Sequence, residues 1–479
     1  MKRRNSLTIL LLLFNVLVYS QSTDIKRTHH WYFGENAGID FTSGTAVADT
    51  SGNLNTLEGC ASISDTSGNL LFYTDGIKVW DSTHAQMPNG FGLHGDWSSL
   101  NSTIIVPNPS IENIYYVFTT PAYAGHWTGF KALEYSIVDM SLNGGLGDVT
   151  TKNITLFTTA TEQLGVVRHK NNIDYWVVAH QDSSSNFMSY LVTASGVLST
   201  PVISNIGKYV PPYSASCWGC AVSGLKFSPS GCRLAVTYPN CDTLQIFDFD
   251  NNTGAVINPI TLNFPFPWSA CFSPDNNLLY VGSFDYNITQ DRVYQFNLSS
   301  NTQSGIMASK TLLSTVTGSM ATMQIAPDGK IYCTKYQDNY LAVINNPNIT
   351  GAGCNFVANG FYLGGKLSLS GITNFVQSYF VNDTIDYSCP SVGITELIDG
   401  NSISIYPNPF SSQTTLQASD YFHDVTLKVY NYYGYLLKQV DNIYGELIIM
   451  QRDNLTKGIY FVQLTQSNKL ITVKVVIVD

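Results

Sequence analysis

Charge is scarce in this chain. Asp, Glu, Lys and Arg supply 12% of its 479 residues, about half the ~25% usual for a soluble domain, which argues against long solvated helices. A sustained 3.6-residue apolar period is missing beyond the first twenty residues, so helical bundles and coiled coils are excluded. Basic clusters are missing too. The net charge is −10; the first twenty residues carry +3 and residues 393–479 carry −2, leaving −11 on residues 21–392. An acidic domain without a basic stripe is a poor partner for nucleic acid or anionic lipid. Catalytic signatures are equally sparse: there is no His-Glu-x-x-His, no Gly-x-Ser-x-Gly elbow and no phosphate loop. Residues 21–392 contain only Arg27, Arg168, Arg233 and Arg292, too few for a sialidase-like grip on a carboxylate. No cofactor and no metal site is expected.

What the chain has instead is aromatic and turn chemistry, with 29 Tyr, 24 Phe and 37 Gly, the composition of sheets and tight turns. One pattern recurs: an apolar strand, a Pro/Asp/Asn/Gly turn, and a second apolar strand. It is plainest at Leu225-Lys226-Phe227-Ser228-Pro229-Ser230-Gly231 before Leu234-Ala235-Val236. It returns at Cys271-Phe272-Ser273-Pro274-Asp275 and at Gln324-Ile325-Ala326-Pro327-Asp328-Gly329. Looser copies near Ser64, Val106 and Arg168 bring the count to six, at an irregular spacing of roughly 42 to 62 residues, around a propeller blade's length. Third strands follow, such as Leu244-Gln245-Ile246-Phe247. Four antiparallel strands repeated around an axis make a β-propeller. Trp31-Tyr32-Phe33 and Ile39-Asp40-Phe41 lack a first strand, and Thr373–Phe380 reads as a first strand with nothing after it. Pairing these ends completes a seventh blade; six or eight blades are the neighbouring solutions.

The span from Trp31 to Phe380 resembles a propeller-like N-terminal region of exported Bacteroidetes proteins. The resemblance rests on Trp31-Tyr32-Phe33-Gly34, Leu71-Phe72-Tyr73-Thr74-Asp75-Gly76 and Asn143-Gly144-Gly145-Leu146-Gly147-Asp148-Val149. It implies a fold and a setting, without a chemistry.

The termini are of another kind. Lys2, Arg3 and Arg4 precede an apolar run from Leu7 to Val18, shorter than the ~20 residues of a membrane span. Val18 and Ser20 satisfy the small-residue rule, so a signal peptide over 1–20 is expected, cleaved after Ser20 and leaving no transmembrane segment in the mature chain. The propeller is assigned to 28–380 and a linker without periodicity to 381–393. Alternating strands over 394–479 then fit a small Ig-like β-sandwich. Tyr406-Pro407-Asn408-Pro409-Phe410, Val429-Tyr430-Asn431 with Gly434, Leu455-Thr456-Lys457-Gly458-Ile459-Tyr460, and the Lys469 and Lys474 ending are similar to the type A sorting domain of the type IX secretion system. That resemblance implies recognition by an outer-membrane translocon and removal by a sortase-like peptidase. The cargo is then attached to surface lipopolysaccharide or released.

Antiparallel topology places the starts of first strands and the ends of second strands on one face. There the sequence collects Trp97, Tyr123, His126, Trp127, His180, Trp218, Tyr238, Trp268, Tyr286 and Tyr336. Trp97, His126, Trp127, His180, Trp218 and Trp268 are the candidate ligand contacts, suited to stacking on sugar rings; packing between blades is the plainer role for any one of them. Asp248, Asp250 and Asn252 alternate like Ca²⁺ ligands, but Gly254 and Pro259 break the EF-hand pattern, so a hairpin turn is expected. Cys217-x-x-Cys220 has no thioredoxin-like context, and hairpin register sets Cys241 opposite, giving a disulfide of Cys241 with Cys220 or Cys217. Two functions remain. One is a non-catalytic surface binder or adhesin for glycans or proteins. The other is a glycosidase or lyase drawing on Glu58, Glu134 or Glu162, which the sequence does not pair.

Overall fold

A computed structural model describes residues 24–100, 103–122, 131–211, 220, 222, 224–285, 290–317, 320–381, 389, 404–431, 435–466 and 469–478. Residues 1–20, expected to be a signal peptide, Gly434 and most of the stretch assigned to the linker lie outside these residues. The chain divides into two compact units, residues 1–389 and 390–479.

The first unit contains seven antiparallel sheets, numbered here as blades. Blade one spans residues 30–48, blade two 61–91, blade three 103–158, blade four 160–205, blade five 225–263, blade six 267–317 and blade seven 320–362. From blade two to blade seven, each first strand touches the first strand of the next blade. First strands therefore line an axis, the geometry of a seven-bladed β-propeller. The repeated turn explains the repeated sequence. Gly231, Asn276 and Gly329 occupy the same turn position with φ of 74°, 66° and 76°, a left-handed conformation that Gly and Asn tolerate. Gly231 is also required by space, since a Cβ there would lie 2.5 Å from Val167 Cγ2 of blade four.

Closure differs from the expected ladder. Thr373–Phe380 does not pair with the Trp31 strand. Asn374 makes an isolated parallel bridge to Ala61, and the Thr373 hydroxyl donates to the Tyr32 carbonyl at 3.1 Å. Gln377–Phe380 is then a buried 3₁₀ turn. Its Ser378 Oγ accepts from Arg168 N of blade four at 3.0 Å, and Gln377 Nε2 donates to Gln324 Oε1 of blade seven at 3.1 Å. A segment bonded to blades on opposite sides of the ring caps the axis at the end away from the first-strand starts. Blade one is held largely by packing: the Trp31 ring lies 5.7 Å from Phe375 and 5.9 Å from Tyr332.

The cap's continuation also belongs to the first unit. Val381 is buried, and Cys389 is disulfide-bonded to Cys232 in the blade-five turn. Both positions fall within the stretch assigned to the linker.

The second unit's layers are one five-stranded sheet folded on itself. Its 19-residue strand Gln413–Asn431 pairs along its length with Leu436–Gln451, and by its two ends with Ser404–Tyr406 and Gly458–Gln466. Leu416, Val429, Val462 and Val475 form the apolar centre.

Candidate functional site

Three copies of the turn motif put the same position on the axis. Lys226, Cys271 and Gln324 each stand two residues before the turn's first residue. Lys226 Nζ donates to Gln324 Oε1 at 2.9 Å, from blade five to blade seven. Beside Lys226 lies a narrow well lined by Leu100, Gly224, Leu225, Lys226, Ser269, Ala270, Thr322, Met323, Ile372 and Asn374, with a volume of about 20 Å³. That is room for a water molecule or a small ion and not for a sugar ring.

Carboxylates gather near the well. Glu58 is buried, and its N–H donates to the Trp97 carbonyl at 3.1 Å. Glu162 Oε2 accepts from the N–H of Leu100 at 2.9 Å. Burial, then Glu162 and Asp96, push the Glu58 carboxyl well above the usual range, since a low-polarity site and neighbouring carboxylates both disfavour its charged form. Burial also raises Asp96. Glu134 stands apart. Its Oε2 meets His94 Nδ1 at 2.7 Å and its Oε1 accepts from Thr155 at 2.9 Å. The sequence named three carboxylates; the structure couples Glu58 and Glu162 and adds Asp96, which had no motif to reveal it.

The aromatic candidates separate by exposure. Trp97 is 44% exposed and Tyr336 43%. Trp268 is partly buried, its ring parallel to Phe266 within 15° at 6.0 Å. His180 and Tyr238 are fully buried. His180 is a correction: its ring packs edge-on against Phe187 at 4.9 Å, and desolvation lowers its pKa to about 4. It belongs to the packing around blade four and not to an open face. Tyr123, His126, Trp127, Trp218 and Tyr286 lie outside the described residues, as does Cys217.

Asp250 does the work of a turn, its Oδ1 accepting from the N–H of Asn252 at 3.0 Å, while Asp248 pairs with Arg233 at 3.6 Å. Among the described residues, no cluster of three His, Cys, Asp or Glu side chains is placed to hold a metal ion. Cys241 is bonded to Cys220, with a Cα–Cα distance of 5.6 Å. Cys60, Cys271, Cys333 and Cys354 are buried free thiols. The Cys232–Cys389 bond was missed, because 157 residues separate its partners and no local pattern links them.

In the second unit the sorting landmarks converge on the last strand. Asn408 Nδ2 donates to the Lys474 carbonyl at 2.9 Å, and its Oδ1 accepts from Val476 N at 2.8 Å. Phe410 N–H donates to the Val476 carbonyl at 2.9 Å. Tyr406 is exposed, and Pro407 accepts from the Thr414 hydroxyl at 2.7 Å. Pro409 follows directly and delivers Phe410 into the core. Gly458, at φ 154°, opens the strand that carries Tyr460, whose hydroxyl donates to the Thr456 carbonyl at 2.8 Å. Lys474 is exposed, and Lys469 begins the final strand.

Three solved structures, each 12% identical, are similar to this chain at a low level. The Dos1 propeller gives a TM-score of 0.40, covering 69% of this chain and 78% of its own. A functionally unknown protein from Desulfotomaculum acetoxidans gives 0.38, covering 73% and 89%. Hydrazine synthase of Kuenenia stuttgartiensis gives 0.32, covering 54% and 67%. Likeness at this level carries no functional argument. No curated protein matches the chain in sequence, and no helix among the described residues is long and apolar enough to cross a membrane. Residues 404–478 match the secretion system C-terminal sorting domain, so the β-propeller is carried by a type IX sorting tail in a secreted or cell-surface protein.

Proposed function

We propose that the propeller is a non-catalytic binding or adhesion module for glycan or protein ligands, delivered by its tail. The tail is read by the type IX translocon and removed by a sortase-like peptidase, and the propeller is then released or held on surface lipopolysaccharide. One observation carries the binding role: exposed Trp97 and Tyr336 rings accompany an axial well of about 20 Å³. A sugar is thus met by aromatic faces outside the well, where its apolar ring face stacks and its hydroxyls remain hydrated.

A second reading has its own support. Glu58, its carboxyl pushed up by burial and by Glu162, has the character of the acid in an acid–carboxylate pair of a glycoside hydrolase. Against it stands burial: Glu58 is 6% exposed.

A glycan array probed with the secreted protein tests the proposal. Binding is expected, with Trp97→Ala weakening it by roughly tenfold, the loss of one stacking contact. Hydrolysis of any arrayed glycan that disappears in Glu162→Gln would instead establish the enzyme.

A further inference from the structure

The axial well is lined by one cation, Lys226, and by none of the carboxylates that stand near it. Lys226 is offered one acceptor, Gln324 Oε1, which it shares with Gln377 Nε2. Among the described residues no carboxylate forms an ion pair with it. Burial lowers the pKa of its ammonium, as happens when a cation gives up water without gaining an anion. In the same lining stands Ser269 of blade six. It is 4% exposed, and its hydroxyl has no hydrogen-bond partner. The rest of the lining is neutral, with Thr322 and Asn374 the other polar members. Gln377–Phe380 caps the opposite end of the axis, so the well is approached from the face where the first strands begin.

An unpaired ammonium and an unused hydroxyl lining one small cavity are complementary to an anion. The first supplies charge beyond its one hydrogen bond to Gln324, and the second a directed donor that is costly to bury unsatisfied. We propose that the well binds one carboxylate group, with Lys226 as its charge partner and Ser269 as its hydrogen-bond donor. The well's volume fits the end of such a group. The carboxylate comes from a free small acid or from a uronic acid unit of a glycan lying on the aromatic face. Only the second source rests on the binding function proposed above.

The test is the thermal midpoint of the full secreted protein, titrated at constant ionic strength with sodium acetate, sodium glucuronate or glucose. A ligand that binds the native state raises the midpoint with its concentration. Acetate is expected to raise it saturably and glucose to leave it unchanged. Lys226→Met removes the acetate response, although its own midpoint rises because an unpaired buried charge is gone. Ser269→Ala, which deletes a single oxygen, shifts the response to several-fold higher acetate and decides the matter should Lys226→Met fail to fold. A response to both acids supports the glycan source; a response to acetate alone supports the free acid. No saturable acetate effect, or an equal effect in Lys226→Met, overturns the site. Array binding by Lys226→Met as strong as wild type, with no acetate effect in either protein, would remove the anion site and leave the aromatic surface standing.

Discussion

The same alternating grammar gives opposite results in the two units. Thr243–Asp250 in blade five is buried at every position, because neighbouring blades cover both faces of its sheet. Leu436–Gln451 in the tail is buried only at Ile448 and Met450. A sheet folded on itself has one inner face, and the outer face meets solvent. Apolar side chains of this region reach solvent: Tyr435, Leu436, Leu437, Tyr444, Leu447 and Ile449 are all exposed, among polar residues such as Gln439, Asp441 and Glu446. Exposed apolar residues of this kind suit a module that is read by other proteins.

The contrast breaks first at the cores. Trp31→Ala empties the junction between blade one and blade seven and should cost the propeller about 3–5 kcal/mol, while the tail transition stays in place in calorimetry. Leu416→Ala is the reciprocal change, costing the tail about 2–5 kcal/mol without moving the propeller's midpoint. Joint movement of both transitions in either variant would show that the units do not fold independently.

A smaller effect is expected at the covalent staple of blade five. Cys241→Ser opens a loop of 21 residues and should destabilise the propeller by about 3 kcal/mol, read as a lower denaturation midpoint that added reductant does not lower further by this bond.

The last contrast sharpens the electrostatic side. Asp291 in blade six is buried, neither oxygen has a hydrogen-bond partner, and desolvation raises its pKa from 3.8 to about 7. The folded state therefore holds a proton that the unfolded state releases, and stability is lost as pH rises between those values. Asp291→Asn should match wild type near pH 4, gain on it up to about pH 7, and hold a constant advantage of a few degrees above that. An advantage that shrinks with rising pH would contradict the assignment.

Much of the architecture was legible because turns are local. Ser228-Pro229-Ser230-Gly231 and its relatives announce a left-handed fourth position, and counting them gave the blades. Thr373–Phe380 was read as a first strand because the blade begun by Trp31-Tyr32-Phe33 lacked one and nothing followed this segment. Its aromatics instead plug the axis, a role set by ring closure and not by local propensity. His180 failed for a related reason: in a strand covered on both faces, a polar residue near the strand's end looks the same whether it faces solvent or a neighbouring blade. Lys226 was visible in the clearest repeat, at a position held elsewhere by Cys271 and Gln324. Only the three-dimensional ring shows that these positions meet.

The division of labour is tested most directly by ending the chain after Gly393 and following both its location and its melting. Residues through Cys389 keep the Cys232 bond, so the shortened propeller should be soluble, melt cooperatively, and remain inside the outer membrane. Normal arrival of that shortened protein at the cell surface would contradict the account.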